Sequence, residues 1–405
     1  MDLELSDEQR ELRDGVRRVL DEQCPPALPR AVHERGETGA ALWRRMVDLA
    51  WPGVAIAEAQ GGLGLGAVEL CLVAEELGRA VAPGPFLATA TQYAPLLQEA
   101  GASALAHEPG SALAHEPGSA LAHEPESALA HEPGRALAHE RLARVAAGAL
   151  TGTVALAEDD RWDLAGVACR ARRAGAGFVL SGRKTGVFDG ATADEIAVVA
   201  RGDEGLAVFL LPGTALKAKP RTLLDPTLAL ADLALDDVAV PAERVLLAPG
   251  PAVERAVARA LEVATVALAL ATAGACRRIF ELTLEYAKVR RQYDRPIGSF
   301  QALKHRLADL SLAVERATAL GYFAALTLAE DDPRRAEAAA LAKAEAGDCQ
   351  RLLVEDGLQL HGGIGFTWEH DLHLWLKRAK AGDALLGGAT EQRARLARRL
   401  GLVAA

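Results

Sequence analysis

Gln359-Leu-His-Gly-Gly-Ile-Gly-Phe366 is the most informative segment of this chain. Its three closely spaced glycines let a ligand approach exposed backbone N–H groups. The same residues also suit a plain helix C-cap and turn. Upstream lies Tyr286-Ala-Lys-Val-Arg-Arg-Gln-Tyr-Asp-Arg-Pro-Ile-Gly-Ser-Phe-Gln-Ala-Leu-Lys304. Arg290, Arg291 and Arg295 gather there where a helix gives way to a Pro-Ile-Gly loop. Forked guanidiniums near a helix end suit a pyrophosphate or a carboxylate, and they suit a solvated basic surface equally well.

The surroundings are those of a large globular chain. Its 405 residues predict two or three domains. Half the residues are hydrophobic, a quarter are charged and only 4% are aromatic, which favours helices packed through small side chains. A net charge of −10 argues against binding nucleic acid through a general basic surface. The start, Met1-Asp2-Leu3-Glu4-Leu5-Ser6-Asp7-Glu8, is acidic and does not resemble a secretory signal. Cys24, Cys71, Cys169, Cys276 and Cys349 are far apart and never form CxxC, so neither a disulfide framework nor a metal site is expected, and a reducing cytoplasm is. The longest apolar run, Val263 to Cys276, falls short of the roughly 18 residues that suggest a membrane span and reads as a buried bundle helix.

Along the chain the texture changes twice. Ser6 before Asp7-Glu8-Gln9 reads as an N-cap, and Leu12, Val16, Val19 and Leu20 recur at helical spacing. Gly61-Gly-Leu-Gly-Leu-Gly66 interrupts, and a helix follows from Ala67 to Ala80. No strand precedes that glycine cluster and no Lys-Ser/Thr follows it, so it reads as a turn and not as a phosphate loop. From Ser103 to Glu140 an octapeptide, Ser-Ala-Leu-Ala-His-Glu-Pro-Gly, repeats and finally degrades. Its prolines predict an inserted, solvated loop with no helix through it. On that reading His107, His115, His123, His131 and His139 are not a metal site, and residues 111–133 can be deleted without loss of folding. From Thr151 to Pro241 short apolar runs predict five or more strands in a small antiparallel barrel or sandwich. Long helices resume at Ala252. The expected domains are helical over 1–150, β over 151–248 and helical over 249–405.

Taken together these stretches resemble the acyl-CoA dehydrogenase family nearly end to end. The resemblance covers Leu5-Ser-Asp-Glu-Gln9, Glu75-Glu-Leu-Gly-Arg-Ala-Val-Ala-Pro-Gly-Pro85 and Leu180-Ser-Gly-Arg-Lys-Thr-Gly186, and it is most specific from Gln359 to Arg378. The wording is similar to a bacterial branch that includes mixed-subunit enzymes of steroid and fatty-acid breakdown. It implies an α+β multidomain fold: an N-terminal helical domain, a middle β domain and a C-terminal four-helix bundle. It also implies FAD held non-covalently at subunit interfaces of a dimer or tetramer, or of a heteromer with a related subunit. By that resemblance Arg290, Arg291, Gln292, Phe300 and Gln301 reach a neighbour's FAD. Gln359, Leu360, His361, Gly362 and Gly363 supply the second adenosine-pyrophosphate contact.

Departures from the family's pattern fall around the flavin ring. Its loop usually reads like Thr-Glu-Pro followed by Gly-Ser-Asp, where this chain has Ala157-Glu-Asp-Asp-Arg-Trp162. An aromatic usually beside the flavin is replaced by Gly186, and a glycine after the arginine pair by Asp294. The reaction needs a carboxylate to take the α-proton of an acyl thioester while hydride leaves the β-carbon for flavin N5. The common position for that base aligns with Leu386 and a minority position with Ala264, and neither accepts a proton. Glu262 lies about 200° around the helix from Ala264, and Asp383 reads as a helix-end carboxylate. No catalytic residue is assigned. The expected function is FAD-dependent α,β-desaturation of an acyl-CoA thioester. The alternatives are a non-catalytic subunit of a heteromeric enzyme and a flavoprotein of this fold turned to other chemistry.

Overall fold

The computed structural model describes residues 4–103 and 132–403. Six helical segments come first: α1 (Asp7–Gln23), α2 (Ala27–Arg35), α3 (Ala40–Asp48), α4 (Ala67–Arg79), the short α5 (Phe86–Ala88) and α6 (Ala94–Ser103), with a π-helical turn over Thr89–Tyr93. Ser6 caps α1 as its sequence predicts: its hydroxyl accepts from the Gln9 amide, and the Gln9 side chain answers the Ser6 amide. The glycine cluster before α4 is a turn whose amides are spent internally. Leu63 N–H donates to Gly53, Gly64 N–H to Ile56 and Leu65 N–H to Val54. None is left for a phosphate.

One expectation about the repeat is corrected. Its degraded last unit is helical, because α7 runs from Glu132 to Ala146. Pro133 sits in the first turn, where its missing N–H costs nothing. Ala138 is fully buried, and the Arg141 guanidinium of the same helix bonds the buried Glu195 carboxylate at 2.9 Å. His107, His115, His123 and His131 lie outside the described residues, and His139 is exposed on α7. The tolerated deletion therefore ends at residue 131. Extending it through Pro133 trims α7 and should lower the melting temperature, which a paired thermal melt of the two deletions checks.

The middle of the chain is one mixed sheet: β1 (Gly152–Ala155), β2 (Arg170–Ala174), β3 (Gly177–Phe188), β4 (Glu195–Gly202), β5 (Gly205–Pro212), β6 (Lys217–Pro220), β7 (Leu230–Val240) and β8 (Val245–Leu247). The strand order is β6-β7-β3-β2-β4-β5-β8, with β1 beside β4. It is not purely antiparallel, as the sequence suggested. Both β1 and β2 meet β4 in parallel, joined by the helix-free segment between them. β2 went unread because Arg170-Ala-Arg-Arg-Ala174 has no apolar alternation; pairing with β3 defines it.

The remaining helices are α8 (Pro251–Val289), α9 (Gln301–Ala329), α10 (Arg335–His361), α11 (Leu372–Ala384) and α12 (Ala389–Arg399). α8 packs against α4, α9, α10 and α11. Its apolar length would suit a membrane, but the bundle buries most of it. A buried cluster joins the three parts of the chain, with Cys71 and Leu72 from α4, Phe188 and Leu228 from the sheet region, and Ala264, Tyr322, Ala339 and Leu386 from the C-terminal helices. All five cysteines are free and buried.

Candidate functional site

The first expected contact region is a protruding hairpin. Arg290 ends α8, its N–H donating to Tyr286 at 2.8 Å and its carbonyl accepting from Ile297 at 2.8 Å. The strands β9 (Arg291–Gln292) and β10 (Arg295–Pro296) then pair antiparallel. Tyr293 and Asp294 form the two-residue turn with φ of 50° and 61°. Such a turn needs left-handed backbone at both positions, which explains why glycine suits the second and why aspartate is tolerated there. Arg295 lies over the Phe300 ring at 4.1 Å. Arg290, Arg291, Gln292 and Gln301 are exposed, and Phe300 is half-buried. Among the described residues no carboxylate pairs with Arg290, Arg291 or Arg295, so their charge is free for an outside anion.

The glycine turn sits at the same end of the bundle. His361, the last residue of α10, stacks on Tyr286 of α8 with ring centroids 4.6 Å apart. Gly362 follows at φ +61°, and a Cβ on Gly362 or Gly363 would meet nothing within 4 Å. Gln359, Gly362 and Gly363 are exposed, whereas Leu360 is half-buried. His361 turns inward, its Nδ1 bonded to the Gly357 carbonyl at 2.8 Å, and burial pushes its pKa down. Arg291 donates to the Asp294 carbonyl at 2.5 Å, and the adenosine-pyrophosphate end of FAD fits this surface: open backbone, guanidiniums without a carboxylate partner and no Cβ in the way at Gly362 or Gly363.

The ring end does not fit. Glu158 is occupied by the buried Lys184 amine at 2.6 Å and by the amides of Ala168 and Cys169. Asp160 pairs with Arg221 at 2.8 Å. Thr185 N–H donates to Ala157, Asp160 N–H to the Thr185 hydroxyl, and Gly186 N–H to Asp232. The segment is closed upon itself. Ala157, Thr185, Gly186, Val187 and Phe188 are all buried by protein alone. Trp162 meets Phe188 edge-on at 6.0 Å, and both belong to the apolar cluster that holds Leu228, Ala264 and Leu386. The segment that the resemblance places beside the flavin ring thus spends its polar groups on protein partners.

Leu386 is itself 2% exposed and has φ +58°. A leucine held left-handed costs about 1–2 kcal/mol, so surrounding bonds must impose the turn. They are identifiable. Gln392 donates to the Leu386 carbonyl at 2.7 Å, and the buried Lys343 amine donates to the Asp383 and Gly387 carbonyls. Burial pushes Lys343 down to about 8. Asp383 accepts from the Ala389 amide at the start of α12, so it is a helix-end carboxylate. Glu262 lines a cavity of about 850 Å³ between Trp162, α8, α10 and α12, where it pairs with Arg335 at 2.9 Å and burial raises its pKa.

Comparison with known proteins defines the class. The chain matches "Acyl-CoA dehydrogenase, N-terminal domain" over residues 6–109 and "Acyl-CoA dehydrogenase, C-terminal domain" over residues 254–401. It belongs to the acyl-CoA dehydrogenase family, oxidoreductases that act on CH–CH donors. It is 30% identical over 393 residues to the acyl-CoA dehydrogenase IpdE2 of Mycobacterium tuberculosis, covering 96% of each chain. A chain of the ChsE4–ChsE5 complex from the same organism is 27% identical with a TM-score of 0.82, covering 100% of both chains. A chain of the Tcur3481–Tcur3483 steroid ACAD is 30% identical with a TM-score of 0.78, covering 98% of both.

Proposed function

We propose that this chain is one subunit of a heteromeric acyl-CoA dehydrogenase, completing the flavin site of a related subunit that carries the base. The observation behind this is the contrast between its two half-sites. Its own ring-side segment is closed by internal bonds and its base position holds the buried Leu386, while the arginine hairpin and the glycine turn stand open. The two solved heteromeric neighbours support the same reading.

Bound FAD supplies the hydride acceptor for α,β-desaturation. This chain's residues bind and orient. Arg290 and Arg291 offer forked donors to a pyrophosphate, and the Gly362 and Gly363 amides offer approach without a Cβ. Proton abstraction falls to the partner's carboxylate. In the co-expressed assembly, Arg290→Ala should weaken FAD binding about tenfold to a hundredfold, the worth of one charge-assisted phosphate contact. Equilibrium dialysis against FAD measures it, and unchanged affinity would remove the hairpin from the site.

A further inference from the structure

The glycine turn is held at both of its ends. Gly357 brings α10 so close to α8 that a Cβ there would meet the Ile279 side chain at 2.8 Å. One helical turn later His361 stacks on Tyr286, the two rings inclined by 22°. The Gly357 carbonyl fixes the imidazole by accepting from Nδ1. The proton is therefore on Nδ1, and Nε2 is buried without a partner among the described residues. Gly365 folds back over the same residue, where a Cβ would meet the His361 Cβ at 2.9 Å. At the far end Trp368 donates to Glu34 of α2 at 2.8 Å. Arg30 of α2 reaches the Trp368 carbonyl at 2.8 Å and Asp371 at 2.5 Å.

These two holds differ in what they reach. Tyr286 lies one turn before Arg290 and accepts its N–H, and His361 directly precedes Gly362. The stack therefore joins the base of the arginine hairpin to the base of the open amides. The α2 clamp touches neither. We propose that His361 is a positioning residue of the cofactor half-site: stacked on Tyr286, it sets the spacing between Arg290 and the Gly362 and Gly363 amides. This rests on the subunit reading above, in which those groups take the adenosine-pyrophosphate end of FAD. His361 is only 3% exposed and turns inward, so it acts through its neighbours and not by contact with the cofactor. A forked donor and two amides grip one pyrophosphate at one separation, so a slack stack costs affinity while each group stays intact.

Equilibrium dialysis against FAD and a thermal melt, both on the co-expressed assembly, test this. His361→Ala and Tyr286→Ala should each weaken FAD about tenfold, the upper range for one aromatic pair. Combined, they should also weaken it about tenfold in all, because both remove the same contact. His361→Phe and Tyr286→Phe keep two stacked rings and should stay within about threefold of the native assembly. Arg30→Ala cuts the other clamp, so it should lower the melting temperature and leave FAD affinity within about threefold. A loss of about a hundredfold in the double alanine variant, or of about tenfold in both phenylalanine variants, would overturn the proposal. So would Arg30→Ala weakening FAD as much as His361→Ala, because general loosening of the segment would then be the cause. If Arg290→Ala weakens FAD and neither single alanine variant does, the positioning role falls and the subunit reading stands. If Arg290→Ala has no effect either, both fall.

Discussion

Incubated with FAD and mixed anaerobically with acyl-CoA thioesters of graded length, the chain by itself should neither retain stoichiometric flavin nor bleach it. General-base catalysis contributes about 10²–10⁴-fold, and no carboxylate stands at Leu386 or Ala264 to supply it. Neighbouring acids are committed elsewhere: Asp383 to the Ala389 amide, Glu262 to Arg335 and Glu391 to Arg395. Leu386→Glu would be the obvious repair were the base the only missing part. The structure predicts that it fails, because the ring-side segment keeps its polar groups bonded to Lys184, Thr185 and Asp232. It also removes about 1.5–3 kcal/mol of apolar burial and puts a carboxylate into an apolar cluster. The variant should therefore melt earlier and remain inactive. Bleaching by either form at the rate of a base-equipped dehydrogenase would mean that the ring slot is open.

The largest stability effect is expected at Arg378. Its guanidinium donates to Asp225 at 2.6 Å, to the Thr227 hydroxyl at 2.6 Å and to the Ala82 carbonyl at 3.0 Å. His33 of α2 approaches the same carboxylate at 3.6 Å. Arg378 is 3% exposed and Asp225 not at all. This one cluster ties α11, the β6–β7 loop, α2 and the segment after α4. Arg378→Ala leaves a buried carboxylate uncompensated and should cost about 3–5 kcal/mol. Arg378→Met combined with Asp225→Leu should recover most of that loss, since apolar groups of similar size need no partner. Burial alone would raise the Asp225 pKa, but Arg378, His33 and Thr227 together hold it well below the usual carboxylate range. A carboxylate whose folded pKa is depressed stabilises the fold above its unfolded value of about 3.9, and that contribution is lost as pH falls further. Urea unfolding from pH 7 down to pH 3 should show a steeper acid loss for the native chain than for the double variant.

What the sequence discloses follows from the range of each interaction. The α1 cap, α4 and the helix-sheet-helix order are legible because capping residues and apolar spacing are local. The arginine cluster at the end of α8 and the glycine turn are legible for the same reason, whereas the β9–β10 pairing is not. That they share one end of the bundle is not, because the Tyr286–His361 stack joins residues far apart in the chain. Nor is the Asp225–Arg378 tie, whose partners are 153 residues apart. The lack of an acid at Leu386 is visible in the sequence. The packing around Leu386 is not, since Trp162, Phe188 and Leu228 become neighbours only when the sheet folds onto α8 and the Leu386 turn. The prolines of the repeat misled at its degraded end, where Pro133 falls in the one turn of a helix that accepts it.

The division of labour between subunits is read from the flavin count of an assembly between this chain and a related subunit bearing the carboxylate. Absorbance of the purified complex, read against protein concentration, should give one FAD for each pair of chains, all of it bleached by a substrate acyl-CoA. Two FAD molecules per pair, or one per chain in this protein without a partner, would mean that this chain builds a complete flavin site of its own.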